Sequence, residues 1–432
     1  MDDASLARRQ TDAWTWTVVA TFGAYFCMYG LRRPFAVAEY GDVAAWGLAY
    51  KPLAIIAQVL GYMTSKFIGI RVIAELDPRH RVGLLASLIV VAALALVGFA
   101  VTPAPWNLFW LFVNGLPLGM VFGLLLGFLE GRRNTEALTA GLCTSFIVAD
   151  GVTKSVGKQL LTSGVPEFWM PAVAAGLFAL PLALFAWMLT RIAAPSVADK
   201  AARGERMPMD REERRAYRRQ FGGGLAMLVV AYLLITILRS VRSDYAPEIW
   251  AGLGTEAAAS DFAMTELLVA VGVLVLNGSA ILIVDNRRAF FFALSLAVAG
   301  AGILLASTAA LPLGLSPFAY MVAQGLGLYL PYIAVHTTIF ERLIAMTRGR
   351  ANIGYLMYLA DAWGYLGYVA VLLVRTTTQP ALNIFSFYSR LSTAIAIGCL
   401  VAILFCWRYF ARHAGLADRG RATVDGLSTS AA

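Results

Sequence analysis

Apolar stretches of about 20 residues recur along almost the entire chain and are separated by short polar segments. As a helix, a stretch of that length crosses the roughly 30 Å hydrocarbon core of a bilayer. Of the 432 residues, 59% are hydrophobic and 14% are charged. No segment outside the stretches is long enough for a separate soluble domain. The sequence therefore predicts an all-α membrane protein.

The apolar pattern predicts twelve transmembrane helices. They lie at residues 14–35, 45–70, 82–101, 105–129, 136–161, 168–189, 222–242, 262–284, 289–311, 317–341, 351–374 and 391–410. The longest hydrophilic segment divides them into six and six. The predicted domains are an N-terminal six-helix bundle over 1–190, a basic cytoplasmic linker over 191–220, a C-terminal six-helix bundle over 221–412 and a cytoplasmic tail over 413–432.

The two predicted halves resemble each other weakly in sequence. The run NGLPLGMVFGLLLGFLEGRR of the fourth span resembles QGLGLYLPYIAVHTTIFERL of the tenth. The pair Ala149 and Asp150 in the fifth span corresponds to Ala360 and Asp361 in the eleventh. A repeat of this size is typical of transporters built from two related bundles, with the substrate site near the bilayer midplane between them.

The formal net charge of +9 is explained by membrane topology rather than by nucleic-acid binding. Given the predicted spans, nearly all lysines and arginines outside them fall on one side, and only Arg375 and Arg390 fall on the other. The basic side is cytoplasmic by the positive-inside rule. This predicts a multi-pass inner (plasma) membrane protein with both termini in the cytoplasm. The basic linker fits either a solvated connection or a segment that binds anionic lipid.

Two arginines lie at corresponding places in apolar runs of the two halves. Arg32 closes TWTVVATFGAYFCMYGLRRPF, and Arg239 lies at similar depth in LAMLVVAYLLITILRSVRSDYAP. A charge in a transmembrane helix costs at least about 2.5 kcal/mol, so it usually faces a cavity or a partner. Guanidinium groups bind phosphate or carboxylate through two parallel hydrogen bonds. We therefore predict that this pair binds an anion, and we interpret Arg33 and Arg242 as side chains that extend to the membrane interface.

Tyrosines and lysines are predicted to complete the anion site. Tyr29 shares a helix face with the first arginine, and Tyr232 lies two turns before the second. In the second span, Tyr62 and Lys66 belong to one polar stripe. Lys66 fits either the anion site or the membrane interface, and Lys51 at the start of that span is predicted to be interfacial.

Acidic residues inside the spans are candidates for proton coupling. Asp150 and Lys154 lie one turn apart in the fifth span. Either they neutralise each other, or Lys154 joins the arginines while Asp150 tunes them or takes a proton. Asp361, Glu266 and His336 are candidate proton carriers or fixed counter-ions of the arginines. For Glu266 we prefer the counter-ion interpretation.

The sequence contains no Walker loop, dinucleotide fingerprint, zinc-type histidine spacing or nucleophile elbow. We therefore expect neither enzyme activity nor a cofactor nor a metal site. The cysteines all lie in predicted spans without metal-ligand spacing. They are predicted to be free, buried thiols: Cys27, Cys143, Cys399 and Cys406.

The end of the first span, YGLRRPFAVAEY, resembles the ending of the first helix in organophosphate:phosphate antiporters of the major facilitator superfamily. SKFI resembles the lysine-bearing stretch of their second helix, and YLLITILRSVRSDYAP resembles their seventh, with Asp244 and Pro247 following Arg239 at the family's spacing. The fifth span lacks the family's Trp-Asn…His-Asn-x-Gly-Gly signature and indicates a divergent member. The resemblance implies the major facilitator fold, two phosphate-binding arginines at Arg32 and Arg239, and a binding lysine at Lys66.

The predicted function is secondary active transport of a small anionic solute, an organophosphate or related oxyanion, by alternating access. Exchange for inorganic phosphate and coupling to protons remain open. One rival is a proton-coupled carrier of a neutral or cationic solute, in which the arginines form internal salt bridges. Another is a non-transporting membrane sensor of a ligand. We expect a monomer whose partners are the solute, the lipid bilayer and the coupling ion, without nucleic acid.

Overall fold

Twelve helices of at least 18 residues make up most of the described part of the chain. The computed structural model describes residues 3–41, 43–129, 135–192, 211–347, 353–378 and 383–429. The long helices are α1 Asp3–Tyr29, α2 Tyr50–Glu75, α3 Arg81–Val101, α4 Leu108–Leu129, α5 Thr135–Thr162, α6 Met170–Thr190, α7 Arg211–Asp244, α8 Ala259–Gly278, α9 Asn286–Ala310, α10 Pro317–Ala334, α11 Ile353–Thr378 and α12 Ile384–Thr429.

Short elements connect or extend these helices. A 3-10 helix, Pro34–Val37, and two paired strands, β1 Ala44–Ala45 and β2 Leu48–Ala49, lie between α1 and α2. A short helix, Ala246–Gly252, follows α7. Helix α10 passes through a π-helical turn, Val335–Ile339, into the helix Phe340–Thr347.

The first helix ends earlier than the predicted span. From Gly30 to Arg32 the amides bond to the carbonyl three residues back, as in Arg32 N to Tyr29 O at 3.0 Å. Pro34, which follows, has no amide hydrogen and its ring blocks a continued helix. Arg32 and Arg33 therefore lie in the turn after α1, where two successive side chains need not follow the helical periodicity that we assumed.

The helices form two halves of six that meet along two pairs of helices. Helix α2 of the first half packs against α11 of the second, and α5 packs against α8. Eight long helices are long and apolar enough to cross a membrane within the described residues. The other four, α1, α2, α5 and α11, have 26 to 28 residues and are also long enough. Three of these, α2, α5 and α11, carry buried charged side chains.

Glycines allow the closest helix contacts. A Cβ on Gly61 of α2 would lie 2.1 Å from the carbonyl oxygen of Phe112 in α4. Between the halves, a Cβ on Gly151 of α5 would lie 2.3 Å from the carbonyl oxygen of Phe262 in α8. Because no side chain fits at either distance, the α5–α8 contact depends on glycine.

Two of the predicted segments fall partly outside the described residues. Of the linker predicted at 191–220, residues 193–210 lie outside them, and α7 begins at Arg211. The tail predicted at 413–432 is helical up to Thr429, as a continuation of α12. The four cysteines are free and buried, which confirms that prediction.

Candidate functional site

Polar side chains between the halves lie in three successive layers. On α7, Asp244, Arg239 and Tyr232 follow one another toward the end where α7 begins; on α11, Tyr365 and Asp361 follow in the same order. A helix rises 1.5 Å per residue, so adjacent layers are separated by roughly 6–10 Å. We call them the charged layer, the arginine layer and the Asp361 cluster. The side of the protein where α1 ends and α2 begins is the α1–α2 side.

The arginine layer contains Arg32 and Arg239, one from each half and each 2% exposed. The Arg32 guanidinium lies 3.8 Å from the ring centre of Tyr62 and 5.9 Å from that of Tyr29. Stacking of this kind over an aromatic face stabilises a cation without neutralising it. The predicted residues Arg32, Tyr29 and Tyr62 are therefore brought together.

Arg239 is held in the same way by tyrosines of the second half. Its guanidinium lies 4.6 Å from the ring centre of Tyr332, and its Nη2 donates a hydrogen bond of 3.0 Å to the Tyr365 hydroxyl. The Arg32 guanidinium lies 5.9 Å from the ring centre of Tyr365. Both predicted arginines thus meet at one tyrosine in the interface between the halves.

Neither arginine is neutralised by the described part of the protein. None of its carboxylates forms an ion pair with Arg32 or Arg239. The Nε atoms of both are buried without a hydrogen-bond partner there. Burying an unpaired cation is costly, and such groups mark ion or substrate sites in membrane proteins. Among the described residues, the arginine layer therefore has no negative partner.

The charged layer closes the interface on the α1–α2 side of the arginines. Arg33 lies between Asp150 of its own half, at 3.1 Å, and Asp244 of the other half, with which it forms a hydrogen-bonded ion pair. Lys154 donates to Asp150 at 2.5 Å. The prediction that Arg33 extends to the membrane interface is wrong. Two carboxylates hold its side chain inside the protein, where it is 3% exposed.

Further hydrogen bonds hold the two aspartates of this layer. The Ser243 hydroxyl, from the second half, donates to Asp150 at 2.7 Å, and Tyr368 donates to Asp244 at 2.8 Å. Lys154 also contacts Ser243, at 3.1 Å. The layer is electrically balanced and bonded across the halves. Of the two alternatives for Lys154, the structure shows the ion pair with Asp150.

Arg242 and Glu266 form a separate ion pair in the second half. Arg242 donates to Glu266 at 2.6 Å and to the Met321 carbonyl at 2.9 Å. The prediction that Arg242 extends to the interface is wrong, because Glu266 provides a buried partner. Glu266 therefore pairs with Arg242 and with neither arginine of the central layer.

Lys51 connects the halves near the rim. It is 5% exposed and forms an ion pair with Glu248 of the short helix after α7. Our interfacial prediction for Lys51 is wrong, because a carboxylate of the opposite half covers it.

The Asp361 cluster lies on the other side of the arginine layer. Lys66 of α2 donates to Asp361 of α11 at 2.7 Å, and Tyr232 donates to the other carboxylate oxygen. The Tyr232 hydroxyl lies 3.3 Å from Nε2 of His336, whose Nδ1 lies 2.9 Å from the Tyr332 carbonyl. Lys66 is 3% exposed, so the interfacial alternative for this lysine is wrong.

Sequence reasoning assigned no role to Tyr332. This residue contacts Arg239, stacks on Tyr232 at 5.3 Å and lies 4.5 Å from the His336 ring. The signal was present in YLPYIAVH, where Tyr329, Tyr332 and His336 recur at intervals of three and four residues and share a helix face. Tyr365, which contacts both central arginines, was likewise assigned no role.

Comparisons with solved structures show that other proteins share this fold. A D-xylose–proton symporter superposes with a TM-score of 0.62 and 16% identity, covering 91% of this chain and 97% of the symporter. The inward-open xylose transporter XylE from E. coli superposes with a TM-score of 0.60 and 13% identity, covering 92% of this chain and 96% of XylE. A bacterial homologue of the human drug peptide transporters PepT1 and PepT2 superposes with a TM-score of 0.58 and 13% identity. The match covers 93% of this chain and 98% of the homologue.

These similarities establish the major facilitator fold, since a XylE structure described as a member of that superfamily also superposes, with a TM-score of 0.61. At 13–16% identity these similarities are evidence for the fold and not for a shared function. The chain matches no curated protein in sequence. A family profile matches residues 34–413, nearly the whole membrane region. The chain therefore belongs to DUF5690, a family of unknown function.

Proposed function

We propose that this protein is a secondary active transporter of a small organic anion, an organophosphate or a related oxyanion. The observation that supports this proposal is the pair Arg32 and Arg239, buried in opposite halves without a carboxylate partner among the described residues. An anion with several oxygen acceptors would neutralise both guanidinium groups and satisfy their free Nε donors.

The surroundings of the arginines favour a phosphate monoester over a simple carboxylate. Two fixed positive charges in one layer match a dianion, and phosphate offers enough acceptors for two guanidinium forks. Tyrosine rings and the Tyr365 hydroxyl contact the two guanidinium groups and suit the organic part of the solute. The neighbouring cluster adds Lys66 and Tyr232, and the charged layer with Asp150 and Lys154 lies beyond the arginines.

Transport would proceed by alternating access between the two halves. The anion binds one arginine from each half and so draws the halves together around it. On the α1–α2 side, the ion pairs of Arg33 with Asp244 and of Lys51 with Glu248 join the halves and would separate in the opposite conformation. Exchange for inorganic phosphate and symport with protons are both compatible with this cycle.

We place the protein in the inner (plasma) membrane as a monomer, with cytoplasmic termini and a cytoplasmic basic linker. The positive-inside rule supports this orientation. In the rival salt-bridge interpretation each arginine has an acidic partner of its own; the described acids instead pair with other cations, such as Asp361 with Lys66 and Glu266 with Arg242. A ligand sensor with the same anion site would bind the solute without translocating it.

The direct test is counterflow in proteoliposomes, with glycerol 3-phosphate, glucose 6-phosphate, phosphoenolpyruvate and inorganic phosphate as separate probes. We expect accumulation of at least one labelled probe when the same compound is trapped inside. Binding without counterflow would favour the sensor. Neither binding nor counterflow with any of the four would overturn the proposal of a phosphorylated solute.

Affinity measurements on purified variants test the two arginines. Arg32→Lys and Arg239→Lys keep the charge but lose the planar fork. A charge-assisted hydrogen bond contributes roughly 1.5–3 kcal/mol, so each change should weaken binding by about one to two orders of magnitude. Arg242→Lys is the matched control, because Arg242 is equally buried but already paired with Glu266. Unchanged affinity in both central variants would refute the anion site.

A further inference from the structure

Asp361 differs from the other buried acids in the charge that balances it. Asp150 and Asp244 both pair with Arg33, and Glu266 pairs with Arg242. Arginine does not deprotonate in proteins, so these three acids face a permanent cation. In the described residues, Asp361 forms its ion pair with Lys66 alone. Among these four buried acids, Asp361 is therefore the one that is not held by an arginine.

The position of Lys66 links this ion pair to the anion site. On α2, Lys66 lies one turn from Tyr62, and on α11 Asp361 lies one turn from Tyr365. The two tyrosine rings contact each other at 5.1 Å. The Lys66 ammonium lies 5.4 Å from the centre of the Tyr62 ring, which Arg32 also contacts. A solute on the arginines is thus separated from Lys66 by one aromatic ring.

Every element packed around Asp361 contributes to its environment. Besides Lys66 from α2, Tyr232 of α7 donates to the carboxylate, and His336 of the π-helical turn lies beside that hydroxyl. A bound anion that attracts Lys66 takes away the cation that stabilises the carboxylate and so favours its protonation. By linkage, a proton on the carboxylate frees Lys66 for the anion and strengthens anion binding.

We propose that Asp361 is the proton carrier of this transporter and that its protonation releases Lys66, already part of the proposed anion site, to the solute. This inference rests on the proposed anion-transport function. The carboxylate takes a proton from water on the side to which the site is open, and the neutral acid carries it through the conformational change. After the anion leaves, the proton returns to water on the other side and Lys66 pairs with Asp361 again. One proton moves with each anion, in the same direction.

Anion binding by this protein is therefore expected to be accompanied by proton uptake. Purified protein in lightly buffered detergent at neutral pH is mixed with inorganic phosphate, and a pH-indicator dye reports the change. We expect net proton uptake by the unmodified protein. Because phosphate itself titrates near neutral pH, the same measurement on Asp361→Asn separates the two sources: uptake should disappear although phosphate still binds. Asp150→Asn, which changes the buried acid held by Arg33, should keep it.

Transport by the same variants gives an independent readout. In proteoliposomes, Asp361→Asn should retain phosphate counterflow and lose accumulation driven by a pH gradient, whereas Asp150→Asn should keep the ratio of driven accumulation to counterflow of the unmodified protein. Phosphate binding with equal proton exchange in the unmodified protein and in Asp361→Asn would overturn the inference even if other variants fail to fold. Absence of binding by phosphate and by the other three probes would instead overturn the anion function itself.

Discussion

Replacing Asp244 by asparagine should open the α1–α2 side of the protein. Asp244 belongs to the second half and forms an ion pair with Arg33 of the first. Its other oxygen accepts a hydrogen bond of 2.8 Å from Tyr368, which is also in the second half. Asparagine keeps the shape and one acceptor oxygen but loses the charge. The change therefore weakens one contact between the halves and leaves the second half largely intact.

The size of the effect follows from what Arg33 retains. Arg33 keeps Asp150 as a partner at 3.1 Å, so no buried cation is left alone. A hydrogen bond to a charged group contributes roughly 1.5–3 kcal/mol, and a neutral one about 0.5–1.5 kcal/mol. The difference is about 1–2 kcal/mol, which changes the ratio of closed to open forms by roughly 5- to 30-fold.

Distance measurements between spin labels can detect this shift. Trp106 and Leu313 are 72% and 86% exposed and lie on the α1–α2 side, one in each half. Labels are attached to cysteines at these positions after the four native cysteines are replaced by alanine. We expect Asp244→Asn to increase the population with a long distance. Glu248→Gln, which breaks the partly exposed pair with Lys51, is the control. It should change the free-energy difference between the closed and open forms by less than about 1 kcal/mol. An unchanged distance distribution in Asp244→Asn, or a larger change in the control, would contradict this assignment of the contact.

Two further predictions concern topology and helix packing. In intact cells, a cysteine replacing Thr255 should react with an impermeant maleimide from outside, whereas one replacing Glu205 should react only after permeabilisation; outside labelling of position 205 would overturn the orientation. Gly151→Ala should favour the open α1–α2 side in the same distance measurement, because its Cβ would lie 2.3 Å from the Phe262 carbonyl of the other half. Gly61→Ala, within one half, should lower thermal stability without moving the distance distribution. Equal behaviour of the two variants would count against a role of the α5–α8 contact in closing the α1–α2 side.

The helices and the central residues could be predicted from the sequence because their signals are local. Apolar stretches locate the membrane helices, and an arginine within such a stretch is conspicuous wherever it occurs. Tyr62 and Lys66 were predicted to share a stripe because they lie one turn apart on a helix. In the structure Tyr62 contacts Arg32, and Lys66 lies beside the same ring.

The pairing of charges could not be predicted, because it depends on contacts between distant parts of the chain. Arg32 and Arg33 are adjacent, yet only Arg33 forms ion pairs in the described structure, one of them with an acid 211 positions away. Lys66 and Asp361 are separated by 295 positions. Asp150 and Asp361 correspond in the weak internal repeat but lie in different layers with different partners. One sequence contains no signal that assigns these partners.

The buried charges of α5 and α11 also differ in how the cost of placing them in a membrane is offset. An aspartate or lysine at the centre of a helix adds about 2.5–3.5 kcal/mol to the cost of inserting it. In helix α5 this cost is reduced within the helix, because Asp150 and Lys154 lie one turn apart and can enter the membrane as a neutral pair. Helix α11 carries Asp361, whose cation lies on α2 and is synthesised much earlier. Assembly of the two halves therefore offsets the cost of Asp361 in α11 and of Lys66 in α2 together.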